Sequence, residues 1–442
     1  MDAFYMWNKG KIPCKPTFTK RKELNQALGE LAREAIDQNS SRFRLKEKFV
    51  TLFLGDADDE NSLFHLSLQL GWLNRIGVAE ENPFEGVYAF LHPTFQEYFV
   101  ALVISKRDYF LPVEHIDQPI PGKRYRIFES NWEEVFLIWC GRNDVRKDIL
   151  CLIQDLINFN DKDFFVFRAY FLAANAEPEL NNYELSDTII NQLLDWGFFV
   201  EFRPNRSCFW NDSPIRLKAK ETLKLTSFSK TVDSIVNQIN LAENIHEKQD
   251  LAEFLGVIDP HNNQAVRVLT EIMNCTEHRM TQIDVAQSLW IADQANSNAI
   301  SRFLDCLESK DHVIQDHAAY IIRESNIYSC EIIEKLISVL QRNTQEITFK
   351  LREVLRAIEA VGRGDRYIID SIIELIEIHR KKESLQDVCI LIWTLGEIGF
   401  KDSKASEYLL SLLKQMDDVA ARCYIADGLE KFIKEIKMSL TL

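Results

Sequence analysis

The stretch YAFLHPTFQEYF, residues 88–99, holds the residues whose types and spacing most clearly suggest chemistry. A strand-like run ends in Leu91, His92 and Pro93, and beyond it Phe95, Phe99 and Leu102 recur at helical spacing. His92 thus stands at a strand-to-helix junction. The residue type alone leaves its work open between capping the helix, sitting satisfied in a core, and presenting a titratable ring to a ligand or neighbour.

Other groups invite weighing. Cys275 and His278, with Cys306 and His312 one repeat on, could be drawn as a zinc site, because residues three apart share a helical face. Short structural zinc sites show tighter paired spacings, so no metal is expected here. The pair Asp316 and His317 resembles part of a metal phosphohydrolase site, but the remaining ligands have no recognisable spacing, and the two residues more simply begin the helix DHAAYII. Arg323, Arg352, Arg356 and Arg422 recur near the first helices of repeats, where arginine commonly pairs with acids of the adjacent unit; an acidic ligand is the sharper alternative. Aromatic clusters at 132–139 and 164–171 read as core.

These residues need elements to position them. ELNQALGELAREAID places Leu24, Leu28, Leu31 and Ala35 on one helical stripe. A second helix is expected over Phe43–Leu54, and a third over Asn61–Leu73, ended near Gly71. LNRIGVAE and GVYAFL read as two strands around ENPFEG, where Asn82, Pro83 and Gly86 supply the turn. Helices, a hairpin and a further helix form a winged-helix pattern, assigned to residues 1–105. Residues 106–215, rich in aromatics, read as an α-helical connector domain. From 216 to 442 the chain repeats. Leu223, Leu255, Leu289, Ile322, Ile358, Leu395 and Leu429 close successive helices at intervals of 32, 34, 33, 36, 37 and 34 residues, each followed by a second apolar helix. Gly362 and Gly399 occupy the positions where left-handed helix terminators are expected. Helix pairs with one uncovered apolar face must stack, which predicts a HEAT-like α-solenoid. The fold class expected is mainly α.

A chain of 442 residues with a formal net charge of −15 can bury large cores and repels phosphate backbones, so no non-specific nucleic-acid binding is expected. No run approaches the roughly 20 apolar residues of a membrane span, and the first residues lack the apolar core of a secretory signal. With nine cysteines and no C-x-x-C pair, reduced thiols and a cytoplasmic location are expected.

Residues 88–99 resemble the F-x-H-x-x-F-Q-E-[FY] signature that closes the winged-helix part of NACHT-type signal-transduction NTPases, of the STAND class. ELNQALGELAREAID, SLQLGWLNRIG and YRIFESNWEEVFLIWCGR are also similar to cyanobacterial NACHT proteins with C-terminal HEAT repeats. By motif the resemblance covers about residues 3–215. It implies that His92 reaches the β-phosphate of ADP in a resting, closed state. The chemistry is reasonable, because an imidazole at a helix start can donate a hydrogen bond to phosphate. Phe95, Tyr98 and Phe99 would pack the helix onto the wing, and Gln96 and Glu97 have the chemistry to contact a neighbouring domain.

The chain departs from that family in one large respect. No G-x-x-x-x-G-K-[ST] loop occurs; the pairs in NKGKIP and PIPGKRYR lack the upstream glycine and the following Ser or Thr. MDAFYMWN resembles the middle of the segment that precedes the winged helix, as though the chain began inside a larger protein. No catalysis is therefore expected from this chain, and no cofactor held by it alone; ADP or ATP would bind only with a partner NACHT domain, in cis or in trans. The resemblance implies a regulatory and sensor role in antiphage or stress signalling, with an unknown protein or other trigger on the solenoid. A stand-alone HEAT-repeat scaffold is the alternative, and a HEAT-repeat bilin lyase a more distant one.

Overall fold

The computed structural model describes residues 16–38, 42–160, 167–180, 183–199, 214–294, 296–342, 351–399 and 402–440, with side chains as far as 431. The opening octapeptide MDAFYMWN lies outside the described residues. The described chain is mainly helical, carries one three-stranded sheet, and divides into two compact units between Ser234 and Ile235.

The first unit opens with α1 (Phe18–Gln38), whose expected stripe of Leu24, Leu28, Leu31 and Ala35 is buried. The second expected helix starts later than its apolar pattern suggests. Leu45–Lys46 forms strand β1, paired with the third strand, and α2 occupies Glu47–Leu54. Glu47 explains the switch: its carboxylate accepts the Gly86 N–H at 2.8 Å, tying the start of α2 to the sheet. Helix α3 (Leu63–Leu70) is capped by the Ser62 hydroxyl, which accepts the His65 N–H, and ends at Gly71 in the left-handed conformation.

Strands β2 (Leu73–Val78) and β3 (Gly86–Phe90) follow, and α4 (Pro93–Val103) follows them. The sheet is antiparallel, ordered β1-β3-β2, with Leu73 opposite Phe90 and an irregularity between Arg75 and Gly77. Behind α4 come α5 (Glu133–Cys140), α6 (Arg146–Ile157), α7 (Arg168–Asn175) and α8 (Tyr183–Leu194). The run DWGFF, Asp195–Phe199, is a π-helical turn. Helix α9 (Pro214–Leu223) packs against α7, α8 and this turn, so the helix counted as the first repeat belongs to the first unit.

Helix α10 (Phe228–Leu241) carries the division. The second unit continues through α11 (Ile245–Ile258), α12 (Asn263–Cys275), α13 (Arg279–Ala292), α14 (Ser297–Leu307), α15 (His312–Glu324) and α16 (Cys330–Arg342). It ends with α17 (Arg352–Val361), α18 (Arg366–Lys381), α19 (Leu385–Ile398), α20 (Ser403–Gln415) and α21 (Val419–Leu440). The odd-numbered helices pack each on the next odd one, and α14, α16, α18 and α20 do the same among themselves, giving two helical layers.

The turns differ from the glycine reading. Gly362 has φ −99° and Gly399 φ −72°, neither of them left-handed. The left-handed residue lies further on, at Gly364 with φ 76°, where its N–H donates to Ile398 O at 2.8 Å in the next pair. His261, with φ 65°, does the same to Ala292 O. What Gly362 supplies is space, because a Cβ there would lie 2.6 Å from Ile358 O.

The layers are held to backbone contact in places. A Cβ at Gly256 would lie 2.6 Å from the Cα of Ala292. Gly256→Ala is accordingly expected to lower stability by ~1–3 kcal/mol from overpacking, outweighing the ~1 kcal/mol that alanine gains in helix propensity. Urea unfolding followed by circular dichroism reads the sign.

Candidate functional site

Helix α4 and its N-terminus form the site the sequence singles out. Trp72, fully enclosed just before β2, meets Phe95 and Phe99 edge-on with ring centroids 5.2 and 5.1 Å apart, and Phe90 at the end of β3 lies 6.1 Å from Phe99. These rings seat α4 on the hairpin. Tyr98 packs edge-on against Phe99. On the opposite side α1 comes so close that a Cβ at Gly29 would lie 2.6 Å from Phe99 O.

His92 is the N-cap of α4, in extended backbone with Pro93 at the first helical position. Its Nδ1 accepts the Thr94 N–H at 3.2 Å and lies 3.1 Å from the Thr94 hydroxyl. An acceptor Nδ1 places the proton of the neutral ring on Nε2, which becomes a donor. The side chain is exposed, so capping and presentation to a neighbour are compatible uses of the two ring nitrogens.

Gln96 and Glu97 behave otherwise than expected. Both are buried and face inward, onto Arg42. Arg42 Nε donates to Gln96 Oε1 at 3.0 Å, Gln96 Nε2 donates to Arg42 O at 3.1 Å, and the guanidinium pairs with the Glu97 carboxylate. This pair of side chains ties α4 to the segment before β1 and leaves little for another domain. Arg42 lies 54 residues upstream of Gln96 with no local pattern to mark it, and the hub Trp72 is equally unmarked.

The remaining candidates disperse. His278 caps α13, its Nδ1 accepting the Thr281 N–H, while Cys275 is exposed and Cys306 is buried. Among the described residues no three His, Cys, Asp or Glu side chains are arranged to hold a metal ion. His317 Nε2 lies 2.8 Å from Asp284 of α13 and stacks on Tyr320, which separates it in purpose from Asp316, whose carboxyl burial pushes upward in pKa. Arg323 pairs with Glu353 of α17 at 2.7 Å, and Arg356 meets the same carboxylate at 2.8 Å. Arg422 reaches the carbonyls of Leu413 and Met416. In the cluster at 132–139, Trp132, Val135, Phe136 and Trp139 are core, and Trp139 Nε1 donates to Ile104 O at 2.9 Å, behind α4; in that at 164–171, Tyr170 and Phe171 are buried, while residues 164–166 lie outside the described residues.

A concave feature of about 330 Å³ lies in the second unit at the turn between α18 and α19. Its wall includes His379, which is fully buried with Nδ1 3.3 Å from Asp387; Asp387 in turn accepts the Ser384 hydroxyl at 2.6 Å. Serine and histidine both meet the Oδ2 of Asp387, and the Ser384 hydroxyl donates to that carboxylate oxygen and not to the imidazole, so the order Ser-His-Asp of a nucleophile relay is absent and the cluster is structural. No protein-family model, curated protein or solved structure matches the chain.

Two measurements check this geometry. Arg42→Ala strands a buried carboxylate at Glu97 and should cost ~3–5 kcal/mol, with Arg42→Lys intermediate, in urea unfolding. At His379 burial lowers the pKa from its ordinary 6.5, while the Asp387 carboxylate works the other way. The unfolded chain therefore takes up the extra proton. The contribution of His379 to stability is complete above about pH 6.5 and is lost as pH falls toward the lowered folded-state value. The urea midpoint should drop on acidification through that window, and His379→Gln should flatten the slope.

Proposed function

We propose that this chain is the regulatory and sensor module of a NACHT-like STAND signalling NTPase. In this reading α1 to α4 with the sheet act as a winged helix, and the two-layered second unit acts as a HEAT-like solenoid that recognises a protein or other trigger. The observation that carries the reading is His92: the motif histidine stands exposed at the start of α4 with Nδ1 spent on Thr94, so Nε2–H is left to donate to a phosphate oxygen of ADP on a partner domain. The order helix, hairpin, helix across residues 63–103 supports the same assignment.

The mechanism follows from linkage. A trigger on the solenoid shifts the closed-to-open equilibrium only by its difference in affinity for the two states, typically ~1–3 kcal/mol. The hydrogen bond of His92 to a charged phosphate, worth ~1.5–3 kcal/mol, would favour the ADP-bound closed state. Arg42, Trp72 and Gly29 hold α4 so that a displacement of the ring requires movement of the whole helix. The chain itself performs no hydrolysis in this scheme. It reads the nucleotide that a NACHT domain, in cis or in trans, binds and turns over, and signalling against phage or stress would be the output.

The test is reconstitution with a NACHT domain, joined to this chain or supplied as a separate protein. Binding should depend on nucleotide, and His92→Ala should speed ADP release ~10-fold or more with the fold unchanged. Unaltered ADP release would remove His92 from the mechanism. Nucleotide-independent binding would instead favour a scaffold that joins two proteins.

A further inference from the structure

We propose that the turn between β2 and β3 docks, through Phe84, into the cleft between α1 and the end of α4 on a second copy of this chain. Phe84 is 90% exposed, more than any other large apolar side chain among the described residues. The turn backbone that carries it is ordered. The Phe84 N–H donates to Asn82 Oδ1 at 3.1 Å, Glu85 N to Asn82 O at 3.1 Å, and Ala79 N to Glu85 O at 2.9 Å. An aromatic side chain carried on an ordered turn docks without a cost for ordering the backbone beneath it, which favours it as an interface anchor. Acidic residues flank it at Glu80, Glu81 and Glu85, and of these Glu81 is paired with Lys46. An acidic tip is unsuited to a phosphate backbone and suits an apolar socket with a basic rim.

Such a socket lies in the same unit. A cleft of about 470 Å³ is lined by Leu102 and Val103 of α4, Lys22 and Gln26 of α1, and the ion-paired Arg142 and Asp144 beyond α5. A dry cavity of about 150 Å³ suffices for a benzene ring, so the phenyl group fits with room for Pro83. The Arg142 guanidinium is already committed to Asp144 and to the carbonyls of Ala101 and Ile104. Lys22 is exposed and makes no ion pair among the described residues, so it is the uncommitted positive charge at the rim. On a chain of net charge −15, this pairing of an acidic tip with a lysine-rimmed cleft selects one contact against general repulsion between copies.

Tip and cleft are different patches, so the contact is head-to-tail and adds copies into rings or chains rather than stopping at a symmetric pair. One anchor buries less than the ~1,200 Å² of a stable interface, so association is weak. The inference does not use His92 and stands or falls apart from the functional reading above.

Sedimentation velocity of the full chain tests it, over a concentration series reaching ~0.3 mM. The weight-average coefficient should climb with concentration, while Phe84→Asp stays monomeric with an unchanged circular dichroism spectrum. Lys22→Glu should weaken association ~10-fold or more, and adding Glu80→Lys to it should restore part of the loss. Labelled Phe84→Asp chain should still sediment with unlabelled wild type, because it retains the cleft. A wild type that stays monomeric, a Phe84→Asp chain that associates like it, or Lys22→Glu without effect overturns the proposal. So does a labelled variant that wild type ignores, which would mean the tips meet each other.

Discussion

Both units depend on helices approaching until backbone meets backbone. At Gly29 the carbonyl of Phe99 occupies the space a side chain would need, at Gly256 the Cα of Ala292 does, and at Gly396 the Cα of Gly428 lies 2.8 Å from where a Cβ would stand. Glycine inside a helix costs about 1 kcal/mol against alanine, so these positions forgo local helix stability for a closer crossing. The return is large apolar area brought together, at ~25 cal/mol per Å² removed from water, and an interhelix geometry that cannot slide without a clash.

In the first unit this constraint determines what α4 can present. With Gly29 on one side and Trp72 on the other, the helix has one seat, and Arg42 fixes it from below through Gln96 and Glu97. Further ties lie behind it: Arg142 accepts no freedom for the end of α4, donating to the carbonyls of Ala101 and Ile104. Asp37 at the end of α1 is held by Arg126, Tyr109 and Arg124, whose pull outweighs burial and lowers its pKa. The exposed ring of His92 is thus mounted on a support with little play, as the role proposed for it would require.

The second unit solves a different problem, that of neighbouring helix pairs with no sheet to register them. Backbone bonds from left-handed turn residues, His261 to Ala292 and Gly364 to Ile398, lock one pair to the next. Side-chain ties run along the odd-numbered layer, from Glu253 and Ser288 through Asp284 and His317 to Arg323 and Glu353. The series ends with Glu359 and Thr394, and then Glu397 and Lys431, where the Lys431 ammonium also lies 3.7 Å from the Trp393 ring centroid. Such ties supply register more than stability, since each partly exposed pair is worth little.

The sequence by itself determined what depends on local periodicity and turn chemistry. The stripe of α1, the stop at Gly71, the hairpin around Asn82 and Pro83, the start of α4 at Pro93 and the succession of paired helices all follow from spacing a few residues long. Tertiary structure decided the rest, because it turns on groups far apart in the chain. Strand β1 exists only because β3 lies beside it, α9 joins the first unit because α7 and α8 offer its apolar face a partner, and Gly362 is required for space and not for a left-handed turn. Arg42 draws Gln96 and Glu97 inward across more than fifty residues, while His92, four residues before Gln96 on the same helix, stays outside. Periodicity fixes which face of a helix is apolar; which polar residue is covered and which is left to act depends on what the rest of the chain brings against it.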